Sequence, residues 1–237
     1  MHLADIDHLS VNGNSILHRC KVISKLILVL SFLTSFLITS DLTTLLGLII
    51  IQVLFFVVGK IPIKKVIHLA IYPVFFSLLF ALIMGRNEWT IAFVIILRAL
   101  GAALTMLMLI TTTPYVDLFA TLSFVMPSIL VDIFLVTYRS FFILIDKVER
   151  LLKNMKLRGG YSSLNVFKNL KSIAGTIGVL IIHSFDMSER MYKIYALRGY
   201  NGKIPIEASV FPLHKVDYMV IMMGILIFVG TVIPWNL

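Results

Sequence analysis

The sequence predicts an all-α integral membrane protein with about five transmembrane helices and further amphipathic helices on the cytoplasmic side. Of its 237 residues, 59% are hydrophobic and only 14% are charged, whereas about 25% charged residues is usual in soluble domains. The apolar residues form long runs, and a bilayer core about 30 Å thick is crossed by roughly 17–25 helical residues. Positive charge collects in residues 139–203, which hold 12 of the 21 Lys and Arg but 4 of the 12 Asp and Glu.

The first predicted part, residues 1–113, contains a surface segment and four membrane spans. Residues 1–21 are polar and are expected to lie at the membrane surface. Pro73 is expected to kink the third span, because proline removes a helix hydrogen bond. The four apolar runs that predict spans are residues 22–39, 42–58, 66–84 and 90–113.

Basic residues orient these spans, because Lys and Arg favour the cytoplasmic side. Asp41 and the loop 85–89 fall on the opposite side from them. A fifth span at about 216–234, within a last part of residues 204–237, then ends outside the cell. The basic residues that place the amino terminus inside are Arg19, Lys21, Lys25, Lys60, Lys64 and Lys65.

The middle part, residues 114–203, is too polar and too interrupted for ordinary spans. Pro114 and Pro127 suit the first turns of helices. Residues 173–185 are apolar enough for a sixth span, but a span there would put two related stretches on opposite sides of the membrane. We therefore expect amphipathic helices at the membrane surface or on a partner, over residues 115–124, about 127–158 and about 165–198.

The related stretches are DKVERLLKNMKLRG at 146–159 and DMSERMYKIYALRG at 186–199. Two copies are too few for a repeat array, so they suggest two equivalent contacts made by one molecule. The identical positions, all 40 residues apart, are Asp146, Glu149, Arg150, Lys153, Leu157, Arg158 and Gly159, which recur as Asp186, Glu189, Arg190, Lys193, Leu197, Arg198 and Gly199.

Each copy has the chemistry of a helix that ends in arginine and glycine, here called an Arg-Gly tip. Acid four residues before base stabilises a helix by roughly 0.2–0.5 kcal/mol per pair, and each copy contains two such pairs. Glycine past the last turn adopts the left-handed cap conformation. Two capped helices with solvated charges would be the simpler interpretation. Capping alone does not require the same upstream charges, so the constant spacing favours a functional one.

Polar residues within or near the spans give weaker hypotheses. Arg98 lies inside the fourth span, where it is expected to bond backbone carbonyls or neighbouring polar groups, with a transport role as the alternative. Cys20 is the single cysteine and is expected to be a packing residue. Two further groups have no supporting spacing: a metal set of His2, Asp5, Asp7 and His8, and a catalytic set of Asp117, Asp132 and His183.

Enzyme signatures are absent from the sequence. It contains no G-x-x-x-x-G-K-[ST], H-E-x-x-H or G-x-S-x-G, which are typical of nucleotide-binding, zinc-protease and hydrolase sites. The basic block lies beside membrane spans, so it indicates a cytoplasmic face rather than nucleic-acid binding. We therefore expect a non-catalytic membrane protein with no cofactor.

Four stretches together resemble the transmembrane T component of energy-coupling factor transporters, a family that includes the cobalt-transport subunit. The two that contain the Arg-Gly tips are the most specific. Leu157 and Leu197 stand where the family usually has alanine, and Val22 and Ile23 replace its usual Asp-Pro. The stretches are NSILHRCKVISKL (14–26), LITTTPYVDLFATLSFVMP (109–127), VTYRSFFILIDKVERLLKNMKLRG (136–159) and SFDMSERMYKIYALRGYNGK (184–203).

The resemblance implies a coupling role in the cell membrane, together with two ATP-binding-cassette ATPase subunits and a substrate-binding membrane protein. The docking residues would be those of the tips, namely Leu157, Arg158, Gly159, Leu197, Arg198 and Gly199, and the repeated charges would support their coupling helices. The substrate could be cobalt, nickel or a vitamin, and IDHLSVNGN (6–14) favours the metals. A free-standing secondary transporter is the alternative; it would carry inverted repeats and ionisable residues at mid-membrane.

Overall fold

The computed structural model describes residues 10–11, 13, 15–59, 61, 63–85, 89–124, 126–160, 165–204 and 214–233, and this part of the chain is helical and contains no strand. The all-α prediction is therefore confirmed. The helices are α1 (Ile16–Arg19), α2 (Val22–Ile38), α3 (Leu42–Val58), α4 (Ile63–Met84), α5 (Trp89–Thr112), α6 (Tyr115–Leu122), α7 (Ser128–Leu157), α8 (Val166–Leu197) and α9 (Lys215–Val232).

The five predicted spans correspond to α2, α3, α4, α5 and α9, and their ends agree within about three residues. Residues 173–185 lie inside the continuous helix α8, as expected for a single long helix. Four of the described helices, α5, α7, α8 and α9, have at least 18 residues and are apolar enough to cross a membrane. Three shorter apolar helices accompany them. The location of α7 and α8 at the membrane surface remains a prediction from their charges.

The chain forms two compact units. The first consists of residues 1–121 and 208–237, and the second of residues 122–207. Helices α2, α3, α4, α5 and α9 therefore belong to the first unit, and the α7–α8 pair forms the second.

Helix α2 packs against both α5 and α9 in the first unit. It runs antiparallel to α5, since Lys25 near its start contacts Thr112 while Thr39 past its end contacts Arg98. It runs parallel to α9, since Ser24 contacts Asp217 and Ser35 contacts Thr231. The largest fully buried apolar side chains of this core are Phe32, Phe36, Leu28 and Leu45.

Two glycines allow close helix packing around α2. A Cβ at Gly101 of α5 would lie 2.3 Å from the Phe36 ring. A Cβ at Gly224 of α9 would lie 3.3 Å from the Leu28 Cα. Small residues at helix interfaces let backbones approach closely in membrane bundles, so both positions explain why α5 and α9 can pack tightly against α2.

The second unit is an antiparallel pair of long helices. Ser140 of α7 contacts Met191 of α8, and Met155 near the end of α7 contacts Thr176, with oxygen–sulfur distances of 3.7 Å in both cases. No residue of α8 is buried. Much of the apolar surface of this pair is therefore available to lipid or to a partner.

Candidate functional site

Both Arg-Gly tips adopt the same backbone conformation. Arg158 and Arg198 are the C-cap residues that directly follow α7 and α8, with φ, ψ of −84°, 10° and −85°, 6°. Gly159 and Gly199 follow with φ of 69° and 75°, the left-handed region that glycine enters without a Cβ penalty. The predicted glycine caps are therefore present in both copies.

The hydrogen bonds of the two caps also match. In each copy the glycine N–H and the next N–H turn back to carbonyls of the last helical turn, which satisfies acceptors that a helix end leaves open. The four bonds are Gly159 N to Lys156 O (3.1 Å), Gly160 N to Met155 O (2.9 Å), Gly199 N to Ala196 O (3.1 Å) and Tyr200 N to Tyr195 O (3.0 Å).

The side chains of the tips point away from the helix pair. Leu157 and Leu197 are 76% and 89% exposed, and both arginines are exposed. Two large apolar side chains and two cations are thus exposed and contribute little to packing within the unit. Each tip therefore leaves one arginine and one leucine side chain exposed.

The two tips lie at opposite ends of the helix pair. Because α7 and α8 are antiparallel, the end of α8 lies beside the start of α7, where Tyr200 contacts Asp132. From Asp132 to Arg158 the helix rises by roughly 40 Å, at about 1.5 Å per residue. The two tips therefore lie about one helix length apart.

The repeated charges are only partly paired. Of the four predicted pairs, the structure brings together Glu189 and Lys193, with 2.7 Å between Oε1 and Nζ. In the described part of the chain, Asp146 forms no salt bridge with Arg150, nor does Asp186 with Arg190. Both members of the closed pair are exposed, and such pairs contribute about 0.3–0.5 kcal/mol. Most of these charges therefore face solvent.

Asp132 holds the chain that follows the second tip. Its Oδ2 accepts a 2.9 Å hydrogen bond from the Tyr200 hydroxyl, and its Oδ1 accepts one of 3.1 Å from the Ile204 N–H. The side chain is largely enclosed, at 5% exposure. The hydrogen bond to Asp132 raises the pKa of Tyr200. Sequence reasoning missed this role, because no local pattern links positions 68 residues apart.

A second set of polar contacts, which the sequence also did not predict, joins the starts of α2 and α9 in the first unit. Asp217 is 0% exposed; it accepts hydrogen bonds from the N–H groups of Lys21 and His214 at 2.7 Å each and from the Ser24 hydroxyl at 3.0 Å. One carboxylate thus caps the amino ends of α2 and α9. The one available signal was Asp217 itself, three residues after His214 in a capping-box position.

Arg98 has the structural contacts expected of it. Its Nε and one terminal nitrogen donate to the Thr39 carbonyl at 3.1 and 2.7 Å, and the same terminal nitrogen lies 3.3 Å from Ser40 Oγ. The arginine thus satisfies the Thr39 carbonyl just past the end of α2. These contacts favour the structural interpretation over a transport role.

The remaining sequence hypotheses have different outcomes. Cys20 is buried in the core of the first unit, as expected of a packing residue, and this burial raises the pKa of its thiol. Residues His2, Asp5, Asp7 and His8 lie outside the described residues. In the part of the chain that is described, no three His, Cys, Asp or Glu side chains gather as a metal site. Within the second unit, Asp132 contacts Tyr200 and Ile204.

The fold and the twin tips define a multi-pass helical membrane protein with a long helix pair. Residues 13–210 match the model of the CbiQ family, described as cobalt transport protein, and the chain belongs to this family. It is therefore a membrane component of the cobalt transport type. It is also similar to the uncharacterized protein MJ1089 of Methanocaldococcus jannaschii, with 28% identity over 215 residues that cover 81% of this chain and 78% of the relative.

Proposed function

We propose that this protein is the energy-coupling subunit of an importer of the energy-coupling factor type. Its two Arg-Gly tips would each dock on one ATP-binding-cassette ATPase subunit. The helix pair α7–α8 would then pass the ATP-driven motion of the ATPases to a separate substrate-binding membrane protein. The protein itself supplies no ATPase chemistry, and the cargo is cobalt, nickel or a vitamin.

The observation that supports this proposal most strongly is the identity of the two caps. Both tips repeat the same dihedral angles and hydrogen bonds, although their cross-helix neighbours differ. Two arginines held in the same local conformation suit two equivalent sites on the partner subunits. The tips lie at opposite ends of an antiparallel pair, so two ATPase subunits can bind without competing for space.

Arginine suits a docking contact of this kind. Its guanidinium keeps its charge when water is removed and offers five donors in a rigid fork. An acidic groove on each ATPase would be the complementary surface. The adjacent leucines, exposed in the free protein, would bury apolar area on docking.

The proposed orientation follows from the basic residues. If the amino terminus lies in the cytoplasm, the end of the first unit that contains Lys21 and Lys25 also faces the cytoplasm. The start of α2, the end of α5 and the start of α9 meet at one end of this unit, which fits alternating spans. The secondary-transporter alternative is less favoured, because Arg98 is already engaged by Thr39 and Ser40.

The test is a detergent pull-down of this protein co-expressed with its ATPase subunits. Variants Arg158→Glu, Arg198→Glu and the double change are compared with wild type, and Arg139→Glu, an exposed cation of α7 outside the repeats, is the matched control. Losing one partner of a buried charge pair typically costs about 2–5 kcal/mol. We expect each single tip variant to weaken recovery and the control to leave it unchanged.

The double variant decides the outcome. Loss of both ATPase subunits supports docking through the tips. Full recovery with the double variant would mean that both arginines are ordinary helix caps, and the proposed function would be wrong.

A further inference from the structure

The segment that follows the second Arg-Gly tip is hydrogen-bonded to α7 through the carboxylate of Asp132. Tyr200 follows Gly199 directly, and its hydroxyl donates to Asp132 at 2.9 Å. Four residues later the Ile204 N–H donates to the other oxygen of Asp132 at 3.1 Å. The carboxylate therefore holds both ends of segment 200–204 against the start of α7.

This fastening is built into the structure of the second unit. Asp132 is almost wholly enclosed, and hydrogen bonds to an ionised carboxylate are stronger than neutral ones. Removing a donor would leave a buried acceptor unsatisfied, which is costly. The Tyr200 ring also packs against the Tyr195 ring, with centroids 6.1 Å apart. Segment 200–204 is thus tied to α7 by Asp132 and to α8 by Tyr195.

Among the described residues, the first tip has no counterpart of the tyrosine contact. Gly160 stands where the second copy has Tyr200, and a Cβ at Gly160 would lie 2.8 Å from Met155 Cγ and 3.0 Å from Met155 O. A tyrosine therefore does not fit there without displacing Met155. One cross-helix contact near this tip is the hydrogen bond from the Thr176 hydroxyl to the Met155 sulfur at 3.7 Å, and thioether sulfur is a weak acceptor.

We propose that Asp132 and Tyr200 are positioning residues for the Arg198 tip, so that the two tips transmit motion differently. A push on Arg198 would move the start of α7 directly through the Asp132 anchor. A push on Arg158 would act on a tip where Gly160 stands in place of the anchoring tyrosine. This inference rests on the proposed docking function, but the anchor itself can be tested without any partner.

The first experiment measures amide hydrogen exchange of the purified protein in lipid nanodiscs, without partner subunits. Tyr200→Phe removes the hydroxyl and keeps the ring. Tyr192→Phe is the matched control, because Tyr192 is an exposed tyrosine of α8, the helix that precedes Tyr200. Loss of one net hydrogen bond predicts roughly fivefold faster exchange over residues 200–204. We expect no change at residues 158–160 or in the control. Unchanged exchange over 200–204 would overturn the proposal.

The second experiment combines Tyr200→Phe with each arginine change in the ATPase pull-down. In the Arg158→Glu background only the second tip docks, and we expect Tyr200→Phe to weaken ATPase binding roughly 3- to 10-fold. In the Arg198→Glu background only the first tip docks, and we expect no further loss. A global loss of stability would weaken both backgrounds equally, which would contradict a positioning role.

Asp132→Asn provides a second variant at the other side of the contact. It keeps the size of the side chain but loses the charge, so we expect the same background-specific loss as for Tyr200→Phe. If the arginine changes themselves have no effect, the proposed docking function fails. If they act as expected but neither anchor variant is specific for the second tip, the positioning inference alone fails.

Discussion

Lys25 on the first turn of α2 donates a 2.7 Å hydrogen bond from Nζ to the carbonyl oxygen of Thr112, the last residue of α5. The side chain is 4% exposed. The last carbonyls of a helix have no partner within the helix, and this lysine supplies one at the point where the chain turns towards Pro114 and α6. The contact fixes the end of α5 to the start of α2.

Replacing Lys25 should therefore destabilise the first unit. Lys25→Met keeps the length of the side chain but leaves the Thr112 carbonyl without its donor, at a cost of about 1–3 kcal/mol. We expect a lower midpoint in thermal unfolding in detergent. Lys215→Met, at an exposed position of α9, is the control, and equal midpoints for both variants would contradict the role of this contact.

Removing the charge of Asp217 should also lower the stability of the first unit. In Asp217→Asn the new amide group faces N–H donors at Lys21 and His214, so at least one hydrogen bond is lost, and the favourable charge at two helix amino ends disappears. We expect a loss of roughly 2 kcal/mol in unfolding free energy. Asp41→Asn is the matched comparison, because Asp41 precedes α3 without a side-chain capping bond. A similar effect for both changes would refute the double cap.

The glycines of the tips should not tolerate alanine. Gly159→Ala and Gly199→Ala place a Cβ on residues at φ of 69° and 75°, a conformation that costs roughly 1–2 kcal/mol for other residues. We expect faster amide exchange in the last turns of α7 and α8. Gly175→Ala, inside α8 with no atom within 4 Å of the new Cβ, should instead slow exchange, since alanine favours helix. Slower exchange at the tips would contradict the cap geometry.

The anchor of the second tip should weaken at alkaline pH. Hydrogen bonding to Asp132 raises the pKa of Tyr200, so the folded state favours the neutral phenol. This stabilisation is complete below the usual tyrosine value of about 10 and is lost as the pH rises through the raised pKa. Carbon-13 NMR of labelled tyrosine rings, with Tyr200→Phe for assignment, measures this. We expect Asp132→Asn to lower the pKa of Tyr200, and an unchanged value would contradict the contact.

The sequence predicted the features of this protein that depend on neighbours along the chain. Long apolar runs predicted α2 to α5 and α9, and the Arg-Gly pairs predicted two glycine caps. These features follow from local chemistry, namely hydrophobic length and the left-handed freedom of glycine. For this reason Gly159 and Gly199 have their expected conformation.

Contacts between distant segments could not be predicted in this way. Lys25 and Thr112 are 87 residues apart, and Asp132 and Tyr200 are 68 apart; their meeting depends on helix register, which no local pattern encodes. The repeated charges are a local pattern that predicted more ion pairs than the structure forms. Their spacing allows four ion pairs, but exposed pairs gain little over hydration, and the structure closes the pair of Glu189 and Lys193.

The most direct test of the central claim is site-specific photo-crosslinking at the two tips. A photoreactive amino acid replaces Leu157 or Leu197, which are both highly exposed, in the protein co-expressed with its ATPase subunits. Ile182, which is also apolar and exposed and lies in the middle of α8, is the control position. The coupling function predicts that both tip positions crosslink to an ATPase subunit and that position 182 does not. Crosslinks from neither tip to an ATPase subunit would contradict it.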